Sequence, residues 1–565
     1  MKNFKFTLIC LVLFFLFTVF NQSFAANPPG WNWAKGAGNT NPETATSIVY
    51  TNQGNFIYLT GIFFSDTIQM GTALPSNGPC DFLLAKYDTA GNLIWAKSYG
   101  GEYEDAAVSL AVDALDNVLI TGTFYSDTLN LDGNMLINRG NGNATSDIFL
   151  AKFDPNGTVL WANSSGGIDN DEGRALCLDG NGNILIAGCF RSPSATFGSN
   201  LLTLSGTGES FVAKYDPAGN NLWAKGSTGT TFQEANAVVT DQNGNVFIAG
   251  RFSSSTLSFG SLSILNAGSG DVFLVSYSPT GNEQWAKSIG GSGFEECTAI
   301  CYTPNVGLYL TGSFISSTFN FDAFSINNQG TATRDVFLAG CSFNDGSCFK
   351  LQGIGGPLDE IAYGMVSGNN EVFLTGNFES TSIDFDNQTL TNAGGEDIFL
   401  CASSYIGNYF YWAQSMGGPG DDVAYSLDFF ALSSNIVVAG SFSSSNLPFN
   451  TNYNLVNQGL DDLFLAKTGT VITNVIDYSV DKPTLQVFPN PAQNELNIFM
   501  NGQSQGMATL ILRAVSGAIV LHKKIQLGNQ PPGRISLNIE NLSPGFYTLT
   551  LQNSEGQFQT KIVKE

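Results

Sequence analysis

Apolar and polar positions alternate along this chain in short runs, each bounded by clusters of Gly, Asn, Asp and Pro. Residues 105–165 show the pattern well. Positions 108–112 alternate around Ser109 and Ala111 and predict a first strand; 118–124, 148–153 and 159–163 predict three more. A period of two with abrupt reversals is strand-and-hairpin chemistry, not helix. The reversals are Asp113 to Asn117 and Asp154-Pro155-Asn156-Gly157, and the connection 126–146 carries a further hairpin signal around Leu131-Asp132-Gly133-Asn134. Turns of the same kind recur at 88–92, 216–220 and 241–245. In each, Asp caps its own backbone and Gly supplies a positive φ, so they are read as hairpin turns rather than metal loops.

The four-strand pattern repeats. Trp-Ala-Lys and its variants begin at Trp33, Trp95, Trp161, Trp223, Trp285 and Trp412, and Lys350, ahead of Gly355-Gly356, fills the missing slot. Gly-x-Phe occurs at Gly61, Gly122, Gly188, Gly250, Gly312, Gly376 and Gly440. An acidic residue just before Phe opens the third strand at Asp81, Asp147, Glu209, Asp271, Asp335, Asp397 and Asp462. Each marker counts seven, at a spacing of about 62 residues.

A four-stranded meander repeated seven times predicts an all-β fold, a seven-bladed β-propeller, because one such sheet cannot bury both faces alone. The ends complement each other: a lone strand at 31–35 opens the repeats, and the last repeat stops after its third strand, 463–467. Pairing these two strands would close the ring and leave no exposed edge. Units such as Asp147-Ile-Phe-Leu-Ala-Lys-Phe-Asp-Pro-Asn-Gly-Thr-Val-Leu-Trp-Ala resemble the SBBP-type β-propeller repeats of bacterial secreted proteins. The resemblance covers 31–467 and implies the fold, not one activity.

Four segments are expected: a signal peptide at 1–25, the propeller at 26–467, a linker at 468–484 and a small β-sandwich at 485–565. Lys2 and Lys5 precede an apolar run, and Ser23-Phe24-Ala25 offers small residues for cleavage, the arrangement of a secretory signal. In the last segment, Val487-Phe-Pro489-Asn490-Pro491-Ala, the Ser516-Gly517 turn, Leu542-Ser-Pro-Gly545-Phe-Tyr547 and Lys561-Ile-Val-Lys564-Glu resemble the type A C-terminal sorting domain of the type IX (Por) secretion system of Bacteroidetes. The resemblance implies Sec export to the periplasm, handling by the type IX machinery, and release or attachment at the outer cell surface.

Charge sharpens the division. Residues 26–480 hold 14 basic and 42 acidic residues, while 481–565 hold 7 and 5. The acidic body argues against nucleic acid or anionic membrane as partner. The only His is His522, in the sorting segment. The repeats therefore lack a Ser-His-Asp triad and a His metal site. Paired carboxylates could still hydrolyse glycosides, but neither a sialidase-type Asp box nor an Asp-x-Asp-x-Asp-Gly calcium loop is found.

One acidic pattern is regular: Glu43, Asp105, Glu172, Glu234, Glu296, Glu360 and Asp422 enter the first strands and are expected to circle one channel mouth. Such a ring could hold calcium or a basic partner; the plainer alternative is that each carboxylate bonds the backbone of its own turn. Otherwise no cofactor is expected. Cys341 and Cys348 face each other across a hairpin and suit either a cross-strand disulfide or free thiols. The polar, Asn- and aromatic-bearing connections between second and third strands vary most and suit glycan or protein contact. These readings favour an exported, non-enzymatic binding or adhesion protein, with a carboxylate-based polysaccharide hydrolase or lyase, or a structural matrix component, as alternatives.

Overall fold

The computed structural model describes residues 27–140, 144–386, 388–405, 407–469 and 485–564, the last span without 489–491, 493, 501–505, 515–517, 528–534 and 554–555. The expected signal peptide, most of the linker, the Ser516-Gly517 turn and the Pro489-Asn490-Pro491 motif lie outside these residues. The chain separates after Thr473 into two compact units. Every regular element among the described residues is a strand.

The first unit contains seven antiparallel sheets of four strands. The second is typical: Asp105–Val112, Val118–Phe124, Asp147–Phe153 and Val159–Ser165 lie side by side in chain order. Sheets are counted here from the one opening at Glu43. The seventh is assembled differently. Its strands Asp422–Phe430, Asn435–Phe442 and Asp462–Thr468 are followed by Trp31–Ala37. Trp33 pairs with Lys467 and Gly36 with Phe464. Between second and third strands every repeat inserts a two-stranded hairpin, such as Thr128–Leu131 with Asn134–Ile137. The sequence showed this hairpin in only one repeat. Its tight reversal takes φ of 50° at Asp132, 52° at Asp322 and 55° at Asp386, the left-handed conformation that Asp tolerates.

Second and third strands are buried along nearly their whole length. Their side chains meet those of the neighbouring sheet. Phe82 and Leu84 of the first sheet pack with Leu110, Ile120, Phe124 and Phe149 of the second, and Phe82 stacks on Phe149 at 5.1 Å. The first strands touch in series: Glu43–Tyr50 meets Asp105–Val112, and so on to Asp422–Phe430, which also touches Glu43–Tyr50.

One irregularity recurs. Each first strand carries a bulge two residues after its opening position, as between Ala107 and Ser109, Gly173 and Ala175 or Ala362 and Gly364. It explains the Gly-x-Phe marker. Opposite the bulge a first-strand carbonyl is pressed onto the second strand, so a Cβ on Gly122 would lie 2.0 Å from Ala106 O, and one on Gly376 1.9 Å from Ile361 O.

The second unit has a three-stranded sheet, Leu485–Phe488, Glu495–Met500 and Ile535–Asn538, and a four-stranded one, Ile519–Leu527, Gly506–Ala514, Gly545–Asn553 and Gly556–Lys564. Leu496, Ile498, Leu510, Leu512, Leu549 and Ile562 form their shared core. Tyr547 donates its hydroxyl to Ser543 O at 2.6 Å. Gly545 opens its strand, Lys561 is exposed and Lys564 is buried near the C-terminus.

Candidate functional site: carboxylate junctions and the bulge ring

The opening residue of each first strand is buried: Glu43, Asp105, Asp171, Gln233, Glu295, Glu360 and Asp422. Four of the seven predicted ring residues stand there. Glu172, Glu234 and Glu296 do not; they lie one position later, and a shift of one residue along a strand turns a side chain to the other face. The equivalent position in the fourth sheet is an amide, Gln233.

These opening acids latch the scaffold. Asp105 accepts from Gly101 N at 2.7 Å and from Ser126 Oγ at 2.7 Å. Asp171 does the same with Gly167 N and Ser192 Oγ, and Asp422 with Gly418 N and Ser444 Oγ. The partner serines are themselves buried. Glu295 accepts from Gly291 N at 3.0 Å and from Ser316 Oγ. The bonding is that of the plainer alternative.

Against each opening acid sits the acid that opens the third strand of the preceding repeat. Asp81, Asp147, Asp271, Asp335, Asp397 and Asp462 are 0–2% exposed. Each accepts a loop N–H, as from Asn77 to Asp81 at 2.8 Å and from Ala393 to Asp397 at 2.7 Å. A glycine is wedged at the junction: a Cβ on Gly166 would lie 2.4 Å from Asp147 Oδ1 and 2.8 Å from Asp171 Oδ2. Burial pushes Glu43 and Glu360 up to about 7, and Asp81, Asp147, Asp171, Asp335, Asp397, Asp422 and Asp462 up to about 6. Among the described residues no group of three or more His, Cys, Asp or Glu side chains is arranged to hold a metal ion.

The side chains that differ between repeats are those at the bulges: Thr46, Val108, Arg174, Asn236, Thr298, Tyr363 and Tyr425. Sequence reasoning missed them, although the glycine opposite each was in view. Thr46, Asn236 and Thr298 bond to the next first strand, at Ala107 O, Cys297 O and Ala362 O. Arg174 bridges Glu172 at 2.7 Å and Glu234 at 3.0 Å, and Arg251 also pairs with Glu234. Arg191 and Arg251 lie over Phe232 at 4.7 and 5.7 Å, and Arg251 over Phe294 at 5.0 Å. Two of the predicted ring acids are thus neutralised within an arginine–aromatic ladder. On the sixth and seventh sheets the character reverses. Tyr363 packs on Tyr425 at 5.0 Å, and burial together with Asp421, Glu379 and Asp359 lifts Glu396 to about 7.

Cys341 and Cys348 are register partners, as their spacing predicts, and both thiols are free. Lys350 occupies the tryptophan slot, opposite Gly340. It is buried, and desolvation lowers its ammonium to about 7.

Over 362 residues, 53% of this chain, the protein is 27% identical to an uncharacterized WD repeat-containing protein, L264, of Acanthamoeba polyphaga mimivirus. Over 146 residues, 26% of the chain, it is 33% identical to the regulatory protein FlaEY of Caulobacter vibrioides. The matched regions span 25% and 15% of those relatives. Among solved structures, a Synechocystis apocarotenoid oxygenase aligns with a TM-score of 0.33 and 10% identity, covering 80% of this chain and 95% of that one. Residues 486–565 match the family of secretion-system C-terminal sorting domains. That tail marks the protein as one handled by the type IX machinery and delivered to the cell surface or the extracellular space.

Proposed function

We propose that the seven sheets form one ring, a seven-bladed β-propeller closed by the pairing of Trp31–Ala37 with Asp462–Thr468, and that the ring is a non-enzymatic binding platform displayed outside the cell. The serial contacts of the first strands and the hybrid seventh sheet support closure. In this reading residues 26–467 are the ring and 485–565 the exported address tag, with Gly545, Tyr547, Lys561 and Lys564 among its sorting-motif residues. SBBP-type repeats and a Bacteroidetes source are part of the same proposal.

The observation that carries the binding role is the contrast between repeated and unrepeated polar groups. The buried acids recur from sheet to sheet and bond the scaffold; the bulge residues and outer hairpins vary. A repeated latch serves folding, whereas the arginine–aromatic side and the tyrosine–carboxylate side of the bulge ring offer one partner two unlike surfaces. Screening the full chain against arrayed glycans and surface proteins tests this. Saturable binding that falls on Arg251→Ala or Tyr425→Ala supports the platform. Release of reducing ends from a polysaccharide would favour the carboxylate hydrolase or lyase instead.

A further inference from the structure

At the opposite end of the sheets, where first meets second strand and third meets fourth, a lysine from one sheet reaches the turn of the next. Lys86 Nζ donates to Pro155 O at 3.0 Å, Lys152 to Pro217 O at 3.3 Å, Lys214 to Pro279 O at 3.3 Å and Lys467 to Thr89 O at 3.1 Å. In the fifth sheet the ammonium comes from the neighbouring strand: Lys350 donates to Ser404 O and to Gly407 O. The sixth sheet has no such turn to reach, because the seventh sheet's third and fourth strands come from the two ends of the repeat region.

The fourth sheet alone has a turn to reach and, among the described residues, no lysine that donates to it; its Lys287 pairs instead with Asp322 at 3.1 Å. Its third strand has Ser276 where Lys152 and Lys214 stand, and Ser276 Oγ donates to Gln284 Oε1 at 2.8 Å. The partner carboxylate has nevertheless been kept. In the second and third sheets the turn aspartates pair with the lysine, Asp113 with Lys152 and Asp179 with Lys214, both at 2.9 Å. Asp241 is the same residue of the same turn, 3% exposed, held by Asn243 N, Asn245 N and Asn245 Nδ2 at 2.8–2.9 Å. Its Oδ2 has the asparagine bond found in the other two turns but no ammonium.

Space replaces the missing lysine. A cavity of about 430 Å³ is lined by Asp241, Asn245, Gln284, Trp285, Phe343 and Asn344. The indole also changes role. Trp33, Trp95 and Trp223 donate Nε1–H to carbonyls of the next turn at 3.0–3.2 Å, whereas Trp285 Nε1 is buried without a partner. The turn it faces, Ser342 to Ser347, is one residue longer than the others.

We propose that this cavity is a binding site for a primary ammonium group on an alkyl arm, which takes the place of the turn-reaching lysine that the fourth sheet lacks. Asp241 supplies the counter-charge, the Asn344 turn and Gln284 supply acceptors, and Trp285 and Phe343 flank the alkyl arm and offer the ammonium a ring face. The inference goes beyond the binding platform: it concerns a small site at the other end of the sheets and holds whether or not the bulge ring binds a partner.

Titration of the full chain with cadaverine and with Nα-acetyl-lysine methylamide, read by calorimetry and tryptophan fluorescence, tests it. Saturable binding at one site is expected, weakened at least about tenfold by Asp241→Asn and absent in Ser276→Lys. Tighter binding of cadaverine assigns a free amine as ligand; tighter binding of the lysine derivative assigns a partner protein's side chain. Ser276→Lys should also melt higher than the parent, since it restores the ammonium seen in the second and third sheets. Absence of saturable binding by either amine overturns the proposal, as does binding that survives Ser276→Lys in a folded variant.

Discussion

The junction between the third and fourth sheets and the other six junctions solve one packing problem with different chemistry. Six set a buried acid against a buried acid, with a glycine between them. At the third–fourth junction all three residues change together. The third-strand acid is Glu209, the glycine is Thr228 and the opening acid is Gln233. Gln233 Nε2 donates to Glu209 Oε2 at 3.1 Å, and Ser227 Oγ donates to the same oxygen at 2.8 Å. An amide there provides the donor that two carboxylates lack unless one of them holds a proton. In the other six junctions burial raises at least one of the two acids, so those six are expected to respond to pH, whereas the third–fourth junction has an amide in place of one acid.

The largest effect is expected from removing a junction's frame altogether. Deleting residues 27–37 strips Trp31 and Trp33, each 7% exposed, and leaves Asp462–Thr468 as an open edge. Loss of each buried Trp costs about 3–5 kcal/mol, and a typical domain has only about 5–15 kcal/mol to lose. Circular dichroism should show no cooperative melt; a melt like that of the parent would refute the closing role of this strand. Next comes Gly417→Thr, which imports the third–fourth wedge without its partners. The new Cβ would sit 2.1 Å from the Asp397 carboxyl, costing about 1–3 kcal/mol or more in denaturant unfolding. Thr228→Gly should cost less than about 1 kcal/mol.

Much of this was legible in the chain. The three markers located all seven sheets, and Lys350 was found in a tryptophan slot without any tryptophan. Three of the seven ring acids, Glu172, Glu234 and Glu296, stand one position beyond the strand opening for a physical reason. Asp171-Glu172 and Glu295-Glu296 are adjacent acids, and Gln233-Glu234 hides an amide beside one. Only the strand register says which member faces inward, and composition cannot supply it. The bulge residues were missed because an extra residue leaves the repeat length unchanged. Gly122 and its equivalents were the available sign, since glycine inside a buried strand marks close backbone approach. The vacancy at Ser276 required structure, because it is a relation between neighbouring sheets.

The pH contrast should be measurable on the whole chain. Burial raises Asp81 to about 6 and Glu360 to about 7, and it moves Asp105, Asp271 and Glu295 upward as well. Their contribution to stability is present below the ordinary carboxylate range and is lost as pH rises through 6–7. The exposed turn acids Asp154 and Asp216 act oppositely. Hydrogen bonds from Thr158 N and the Asn220 side chain hold them low, so their contribution is lost as pH falls below 4. The melting temperature should therefore peak near pH 4 and fall by on the order of 5 °C by pH 8. A rise in melting temperature between pH 5 and 8 would contradict the junction chemistry.

The smallest change gives the sharpest reading. Gln233→Glu converts the exceptional junction to the common type in charge while keeping shape and length. At pH 8 the new carboxylate would face Glu209 and lose its donation to Glu209 and to Thr231 O. The cost of a buried hydrogen bond removed in this way is about 1–3 kcal/mol. At pH 5 the added carboxyl carries its own proton and can donate again, so the cost should shrink below about 1 kcal/mol. Gln233→Leu removes the amide without adding charge and should cost the same at both pH values. If Gln233→Glu also loses equal stability at pH 5 and pH 8, then the shape of the amide, not its proton, distinguishes this junction, and the other six hold together without sharing one.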